Sequence, residues 1–221
     1  MSQADFVYAP PSEAPTIIHA DHEILVVAKP AGLLSVPGRG PDRADCLIAR
    51  LRGPFPTILL VHRLDLDTSG IMVFALTRQA QSQLSRLFQQ RTVKKRYQAV
   101  VHGLVEKESG SIELPLIADW PNRPLQKVCY ETGKPALTHY QVLERDEVHN
   151  RTRLALSPVT GRSHQLRIHC RELGHPIIGC DMYAPPEIEA LSPRLLLHAQ
   201  WLAFNHPLTG LWQEFSSPCP F

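Results

Sequence analysis

The sequence lacks the features that place a protein in a membrane or outside the cell. No apolar run approaches the ~18 consecutive residues of a membrane-spanning helix. The N-terminus has no basic stretch followed by an apolar one, as a secretory signal would have. The five cysteines are odd in number and share no C-x-x-C spacing, which disfavours a disulfide framework and a zinc site. These absences predict a cytoplasmic protein with reduced thiols and no membrane association.

Charge of either sign is nearly balanced, at a net +2 over 221 residues, so the total does not itself indicate a nucleic-acid partner. Two long stretches nevertheless contain no Asp or Glu. Residues 68–105 carry six Lys or Arg, and residues 148–171 carry five Arg. Arginine outnumbers lysine by 17 to 6, and guanidinium suits bidentate phosphate contacts and stacking on bases. This pattern is typical either of an ordinary solvated surface or of a basic surface that follows a phosphate backbone.

Apolar segments of strand length recur along the chain, whereas helical periodicity is confined to three places. Strands are predicted at 24–28, 58–61, 71–76, 94–101, 136–143, 153–156, 195–199 and 211–215. Helices are predicted from Asp42 or Asp45 to Leu51, behind an N-cap at Thr77, and over 163–173. Many strands with few scattered helices predict one α+β domain around a large, mostly antiparallel sheet over residues 16–221. Residues 1–15, rich in Pro, Ser and Ala, predict an extended arm.

Polar residues are concentrated between two predicted strands, in the string His-Arg-Leu-Asp-Leu-Asp-Thr-Ser-Gly at 62–70. Functional residues are often presented in this way, on a short connection held by rigid elements. A solvated turn would use the same residue types. The string Asp65-Leu66-Asp67-Thr68 is similar to the D-x-D-x-T motif of Mg²⁺-dependent aspartyl phosphatases, but its threonine comes one place early. An aspartic protease would need Asp-Thr-Gly, which Ser69 interrupts.

A second polar string, Gly-Arg-Ser-His-Gln-Leu-Arg-Ile-His, occupies residues 161–169, from the turn before the third predicted helix into the helix itself. His164 and Arg167 are three residues apart, and Arg167 and Arg171 are four apart, so each pair shares a helix face. A charged surface helix would show the same spacing. Zinc-ligand types occur at His164, His169 and Cys170, but their spacing puts them on different faces.

Taken whole, these strings resemble motifs of the RluA family of RNA pseudouridine synthases. His-Arg-Leu-Asp-x-x-Thr-Ser-Gly resembles the central motif of that family, and Gly-Arg-x-His-Gln-Leu-Arg resembles another. The Lys-Pro-x-Gly-Leu string at 29–33 also occurs near the start of its catalytic domains. The resemblance extends from about Ile24 to Phe215 and includes the strings Lys95-Arg96-Tyr97 and Leu195–Ala199.

This resemblance implies a role for several residues. Asp65 would be catalytic, Arg167 would form an ion pair with it, and Tyr97 would stack on the target base. An aspartate is already ionised at neutral pH, and the isomerisation of uridine needs no redox partner or group donor, so no cofactor and no metal are expected. Arg63 is expected to fill the space of the flipped base. The other candidate residues for RNA or base binding are His62, Lys95, Arg123, Arg162, His164 and Leu197.

The segment Trp120–Ala136 is close to the dual-specificity members of the family. This similarity implies two substrates, 23S rRNA and the tRNA anticodon stem-loop. The short N-terminal segment leaves no room for an S4-like RNA-binding module, and a monomer is expected. A non-catalytic RNA-binding protein and a Mg²⁺-dependent aspartyl phosphatase remain the alternatives.

Overall fold

Twelve strands and four α-helices make up the part of the chain that the structure, a computed structural model, describes, namely residues 7–221. The strands are β1 Thr16–Ala20, β2 Ile24–Lys29, β3 Leu59–Leu60, β4 Ser69–Ala75, β5 Lys94–His102, β6 Ser109–Glu113, β7 Leu116–Ala118, β8 Gln126–Val128, β9 Leu137–Asp146, β10 Arg151–Pro158, β11 Leu197–Asn205 and β12 Trp212–Ser216. The helices are α1 Leu47–Leu51, α2 Arg78–Gln89, α3 Gln165–Glu172 and α4 Pro186–Glu189. Short 3-10 turns cover Pro41–Arg43 and Trp120–Asn122.

One sheet contains ten of these strands, in the order β1-β2-β4-β11-β5-β10-β9-β6, with β3 paired to β4 and β12 paired to β11. The pair β7–β8 forms a separate hairpin. Among the described strands every pairing is antiparallel except β4 with β11. The prediction of an α+β domain around a large, mostly antiparallel sheet is confirmed.

The parallel pair joins the two halves of the sheet at Gly70, which lies opposite Ala199. Gly70 has a φ of +113°, and a Cβ at this position would lie 2.2 Å from the carbonyl oxygen of Ala199. Only glycine fits so close an approach of two backbones. The chain thus passes directly from the polar string at 62–68 into the junction between the halves.

Strands β2 and β4 are apolar throughout because they are buried on both faces. On one face, α2 packs over residues that include Ile24 and Val73. On the other face, α1 packs over residues that include Leu25 and Phe74. The second half of the sheet has its own core, which α3 covers. Tyr97 packs against both the α1 core and the α3 core, so it marks the cleft between them.

Local chemistry explains where the predicted helices are right and where they are wrong. Thr77 caps α2 as predicted, with its hydroxyl accepting from Ala80 N. Helix α1 begins later than predicted, after Cys46, because Asp45 pairs with Arg50 instead of capping the helix. Helix α3 begins two residues later than predicted, because His164 has a left-handed φ of 55°.

The N-terminal arm is described from residue 7 onward; the rest of the predicted arm, residues 1–6, lies outside the described residues. Residues 7–15 have no regular structure but are tied to the core. Arg50 donates to the carbonyls of Pro11 (2.7 Å) and Glu13 (3.0 Å), and the Tyr8 hydroxyl donates to Asp45 O (2.9 Å). Within residues 7–221, no helix has the length and apolar content to cross a membrane.

Candidate active site

The polar string forms a loop, residues 61–68, between β3 and β4, and Lys29 holds its centre. The ammonium of Lys29, 1% exposed, donates to three carbonyls: Pro30 (2.9 Å), Leu33 (2.7 Å) and Leu66 (2.8 Å). Gly32 N also donates to Leu66 O, at 3.0 Å. Burial lowers the pKa of Lys29 to about 7, although the negative charges of Asp67 and Asp65 act to raise it. Because Leu66 lies between these two aspartates, its anchored carbonyl holds the backbone that carries both carboxylates.

Two further contacts hold the start of the loop. Ser35 Oγ donates to Leu64 O (2.7 Å). His62 Nε2 accepts from Val73 N (3.1 Å), and its ring stacks on Phe88 with 4.7 Å between centroids. Burial lowers the pKa of His62 to about 3, so the ring is neutral at pH 7. In this position His62 supports the loop, and its predicted contact with RNA stays a prediction.

The end of the loop is held from the second half of the sheet. Arg194 donates to Ser69 Oγ (2.6 Å), which also lies 2.8 Å from Nδ1 of His198 on β11. Ser69 and His198 are partners in the parallel pair. Both halves of the sheet therefore position the same loop.

Asp65 lies half-buried in this loop, where side chains from several elements meet it. Its negative charge interacts with Lys29 on β2, Tyr97 on β5, His164 before α3 and Arg167 within α3. The structure thus brings together the three residues predicted to be catalytic, which are 32 and 70 positions apart in the sequence. A carboxylate surrounded by an aromatic ring and cations is suited to act on a base that has left its stack.

Arg167 is fully buried, and its partners differ from the prediction. Its Nε donates to Cys180 Sγ (3.3 Å), and its Nη2 pairs with the carboxylate of Asp181. Burial acts to lower the pKa of Arg167, but Cys180, Asp181 and Asp65 raise it overall. The predicted ion pair with Asp65 is therefore wrong for this structure: Asp65 acts on Arg167 through longer-range attraction, while Asp181 holds the direct contact.

Tyr97 extends from β5 into the cleft between the two cores. Burial raises the pKa of its hydroxyl, and the charge of Asp65 raises it further. The phenol consequently remains protonated at neutral pH and offers both a ring face and an O–H donor beside Asp65.

Next to Asp65, His164 is held by a chain of hydrogen bonds. Gln126 N donates to the Tyr183 hydroxyl (2.9 Å), which lies 2.6 Å from Nδ1 of His164. Among the described residues, Nδ1 is the acceptor available to this O–H, so neutral His164 carries its proton on Nε2. Burial lowers the pKa of His164, which keeps it neutral near pH 7. The imidazole therefore presents an N–H donor, and not a cation, in the site.

The remaining predicted residues lie at different distances from this centre. Arg63 is exposed, and its positive charge contributes to the lowered pKa of His164. Leu197, 3% exposed, is part of the α3 core. Arg123 stacks on Trp120, with 3.1 Å from its guanidinium carbon to the ring centroid, in the connection between β7 and β8. Lys95 and Arg162 line a groove described below.

Sequence reasoning missed Lys29, Asp181 and Tyr183 as residues that shape the site. Lys29 belongs to the Lys-Pro-x-Gly-Leu string, so its position was visible but its role was not. Asp181 and Tyr183 lie in an irregular segment without a motif signal. Asp67 is half-buried, and its pKa is raised by burial and then by Asp181. Within residues 7–221, no group of three or more His, Cys, Asp or Glu is placed to hold a metal ion.

Comparison with known proteins agrees with this arrangement. The family model described as RNA pseudouridylate synthase matches residues 23–172. A protein of Pasteurella multocida, named dual-specificity RNA pseudouridine synthase RluA, is 51% identical over 97% of this chain and 98% of its own length. Proteins with the same name from Yersinia pestis and Escherichia coli K12 are 53% and 51% identical, over 93% and 97% of this chain and 99% and 98% of their own lengths.

Solved structures give the same result. Human RNA pseudouridylate synthase domain containing 1 superposes with a TM-score of 0.80 at 30% identity, covering 96% of this chain and 87% of that one. Human RNA pseudouridylate synthase domain containing 4 shares the fold, with a TM-score of 0.73 at 24% identity over 93% of this chain and 88% of that one. The chain belongs to the RNA pseudouridylate synthase family.

Proposed function

We propose that this protein converts specific uridines to pseudouridine in both 23S rRNA and the tRNA anticodon stem-loop, using Asp65 and no cofactor. The observation that carries the proposal is that Tyr97, His164 and Arg167 all lie within reach of the charge of Asp65. The names of the relatives that are about half identical over nearly the full chain support the two RNA classes.

The reaction is an isomerisation, so its atoms balance without a second substrate. The bond from N1 to C1′ breaks, the uracil rotates, and a bond from C5 to C1′ forms; C5 then loses its proton and N1 gains one. In the proposed mechanism Asp65 acts as nucleophile or base, and Tyr97 stacks on the flipped uracil. Arg167 keeps the carboxylate ionised once the base has excluded water. His164 donates Nε2–H to the nucleotide.

Arg63 has a proposed part in base flipping. Its exposed guanidinium lies two residues before Asp65 and is planar, so it can stack in the vacancy that an extruded uridine leaves. We further propose that residues 16–221 act as a monomeric catalytic domain in the cytoplasm. All five cysteines are free thiols, which supports a reducing compartment.

The test compares Asp65→Asn with Asp67→Asn, on RNA transcripts that carry tritium at C5 of uridine. Because pseudouridine formation releases that hydrogen, tritium in the solvent measures turnover. Asp65→Asn should release none, while its RNA affinity stays within a few-fold of the parent; Asp67→Asn should retain turnover. Substantial release by Asp65→Asn would contradict the role of Asp65.

The alternatives predict different results in the same assay. A non-catalytic RNA-binding protein would release no tritium from any transcript. An aspartyl phosphatase would hydrolyse p-nitrophenyl phosphate in a way that EDTA stops and Mg²⁺ restores. Mapping pseudouridine in total RNA from cells with and without the gene would show whether both rRNA and tRNA are targets.

A further inference from the structure

A groove of about 410 Å³ lies beside the site, lined in part by the basic residues Arg91, Lys95 and Arg162. We call it the basic groove. Its lining also includes Phe88, Gln89 and Gly161, and it contains no acidic residue. Within residues 7–221, none of the three cations forms an ion pair with a carboxylate.

Lys95 is half-buried in this groove. Its Nζ has one long hydrogen bond, to Thr160 O at 3.4 Å. Burial lowers its pKa to about 8, and no carboxylate opposes this shift. Desolvating an ammonium without a counter-ion is costly, and a bound anion would recover part of that cost.

Backbone geometry leaves the groove open at this point. Arg162 is held at the opposite rim, with Nε donating to Pro135 O (3.3 Å) and its backbone N donating to Gln165 Oε1 (3.0 Å). Gly161 precedes Arg162 in the chain, and a Cβ at Gly161 would lie 3.8 Å from Lys95 Nζ. The missing side chain therefore leaves the ammonium accessible from the groove.

The basic groove adjoins the catalytic centre. Lys95 and Tyr97 are two residues apart on β5, so their side chains share one face, about 7 Å apart along the strand. Phe88, in the wall of the groove, stacks on His62, three residues before Asp65. A strand of RNA that places a uracil on Tyr97 would thus bring an adjoining phosphate to the groove.

We propose that the basic groove binds one backbone phosphodiester of the RNA, adjacent to the target uridine, between Lys95 and Arg162. This inference rests on the proposed function. The bound phosphate would set the position of the RNA strand relative to Asp65. The ligand is a singly charged phosphodiester within a polynucleotide, and a free phosphate ion is the other source of the same chemistry.

The experiment is a methylphosphonate scan of a short stem-loop RNA, in which each phosphate flanking the target uridine is made neutral in turn. With the parent protein, one position should weaken binding about five- to tenfold at 100 mM salt. With Lys95→Gln, overall affinity should fall by a similar factor, and neutralising that same phosphate should cost nothing more. The slope of log affinity against log salt should also fall by about 0.7, the value for one contact to a single strand.

Lys94→Gln is the matched control, because Lys94 is the neighbouring residue on β5, is exposed and faces the other side of the sheet. It should leave the position-specific effect intact. Arg162→Gln provides a second groove variant should Lys95→Gln fold poorly, and thermal melts check folding of all three. An unchanged effect in both groove variants would overturn the proposal.

A titration with inorganic phosphate separates the two sources of the anion. Competition by phosphate below about 1 mM, together with a flat methylphosphonate scan, would mean a small-anion site and would overturn the inference. The readout is binding, so it stands apart from catalysis. If Lys95→Gln abolishes the position-specific effect but the parent protein releases no tritium, the result would support the groove and refute the proposed function.

Discussion

Two fully buried cations near Asp65 are held in opposite ways, and they come from the two sides of the molecule: one lies on β2 in the first half of the sheet, the other in α3, which covers the second half. Lys29, from the first half, donates to three backbone carbonyls. Arg167, in α3, is held by a thiol and by Asp181, whose side chain is 47% exposed. Backbone partners cannot be exchanged without moving the chain, whereas an exposed carboxylate can give way to water or substrate. We therefore expect Lys29 to maintain the shape of the loop and Arg167 to take part in the reaction.

Arg167→Met should have the largest effect and should separate the two cations most clearly. Turnover in the tritium-release assay should fall about 100-fold or more, the usual loss when an oriented charge or donor is removed from an active site. RNA affinity should change little. Arg171→Met is the control, because Arg167 and Arg171 both lie over the Tyr183 ring, at 5.3 and 5.5 Å, but Arg171 pairs with Glu172 at the surface. Equal losses in the two variants would reduce Arg167 to packing against Tyr183.

Lys29→Met should mainly affect folding. The carbonyls of Pro30 and Leu33 would lose their donor, whereas Leu66 O would keep Gly32 N. An unsatisfied buried acceptor costs about 1–3 kcal/mol, so the free energy of unfolding should fall by at least that amount. Turnover per folded molecule should stay within about tenfold. Urea unfolding with Lys127→Met, an exposed lysine, as control measures the change. A large loss of turnover at unchanged stability would mean that the charge of Lys29 takes part in the reaction.

Asp181→Asn should have a smaller effect than either change. The carboxylate is nearly half exposed, so water can replace it at Arg167, and such pairs contribute about 0–1 kcal/mol. Stability should therefore change by less than about 1 kcal/mol, and turnover should fall only a few-fold as Arg167 loses its orienting partner. Glu172→Gln, which removes the exposed partner of Arg171, is the control. A loss as large as that of Arg167→Met would mean that the pair acts as a unit.

Asp67→Asn should have the smallest effect, and the sign of that effect depends on pH. The folded pKa of Asp67 is raised above the ordinary value of an aspartate, by burial first and by Asp181 next. Ionised Asp67 therefore destabilises the folded state at neutral pH, and this penalty disappears as pH falls through the folded pKa toward 3.8. The variant should gain less than about 1 kcal/mol at pH 7 and nothing near pH 3.5. Thermal melts across this range test the trend; a loss of stability at pH 7 would contradict it.

Local signals explain which parts of the fold were predictable. Thr77 caps α2 through its own hydroxyl, and the strands buried on both faces are continuous apolar runs. Strand β6 was missed because it is an edge strand whose exposed polar residues, such as Ser109, give no apolar pattern. The cap of α1 was predicted wrongly because the Asp45–Arg50 ion pair competes with capping.

In the site too, residues in sequence motifs were predictable and residues positioned by non-local contacts were not. Motif strings identify Asp65, Tyr97 and Arg167, which the fold does bring together. They do not reveal Asp181 as the partner of Arg167, because its segment is positioned by a non-local contact. Gly179 has a φ of +74°, and a Cβ there would lie 1.9 Å from Arg194 O. Such a close approach depends on the folded backbone, and no residue pattern reports it.

The parallel pair between β4 and β11 has a consequence for the order in which the protein is made. Ser69 and His198, joined at 2.8 Å across this pair, are 129 positions apart. During synthesis the Asp65 loop leaves the ribosome early, but β11 must still be inserted between β4 and β5 before Tyr97 and Arg167 can face it. Contacts of such long sequence separation form slowly and late. A nascent chain that ends before residue 197 therefore carries the aspartate without the site, and the site can form only once β11 has been made.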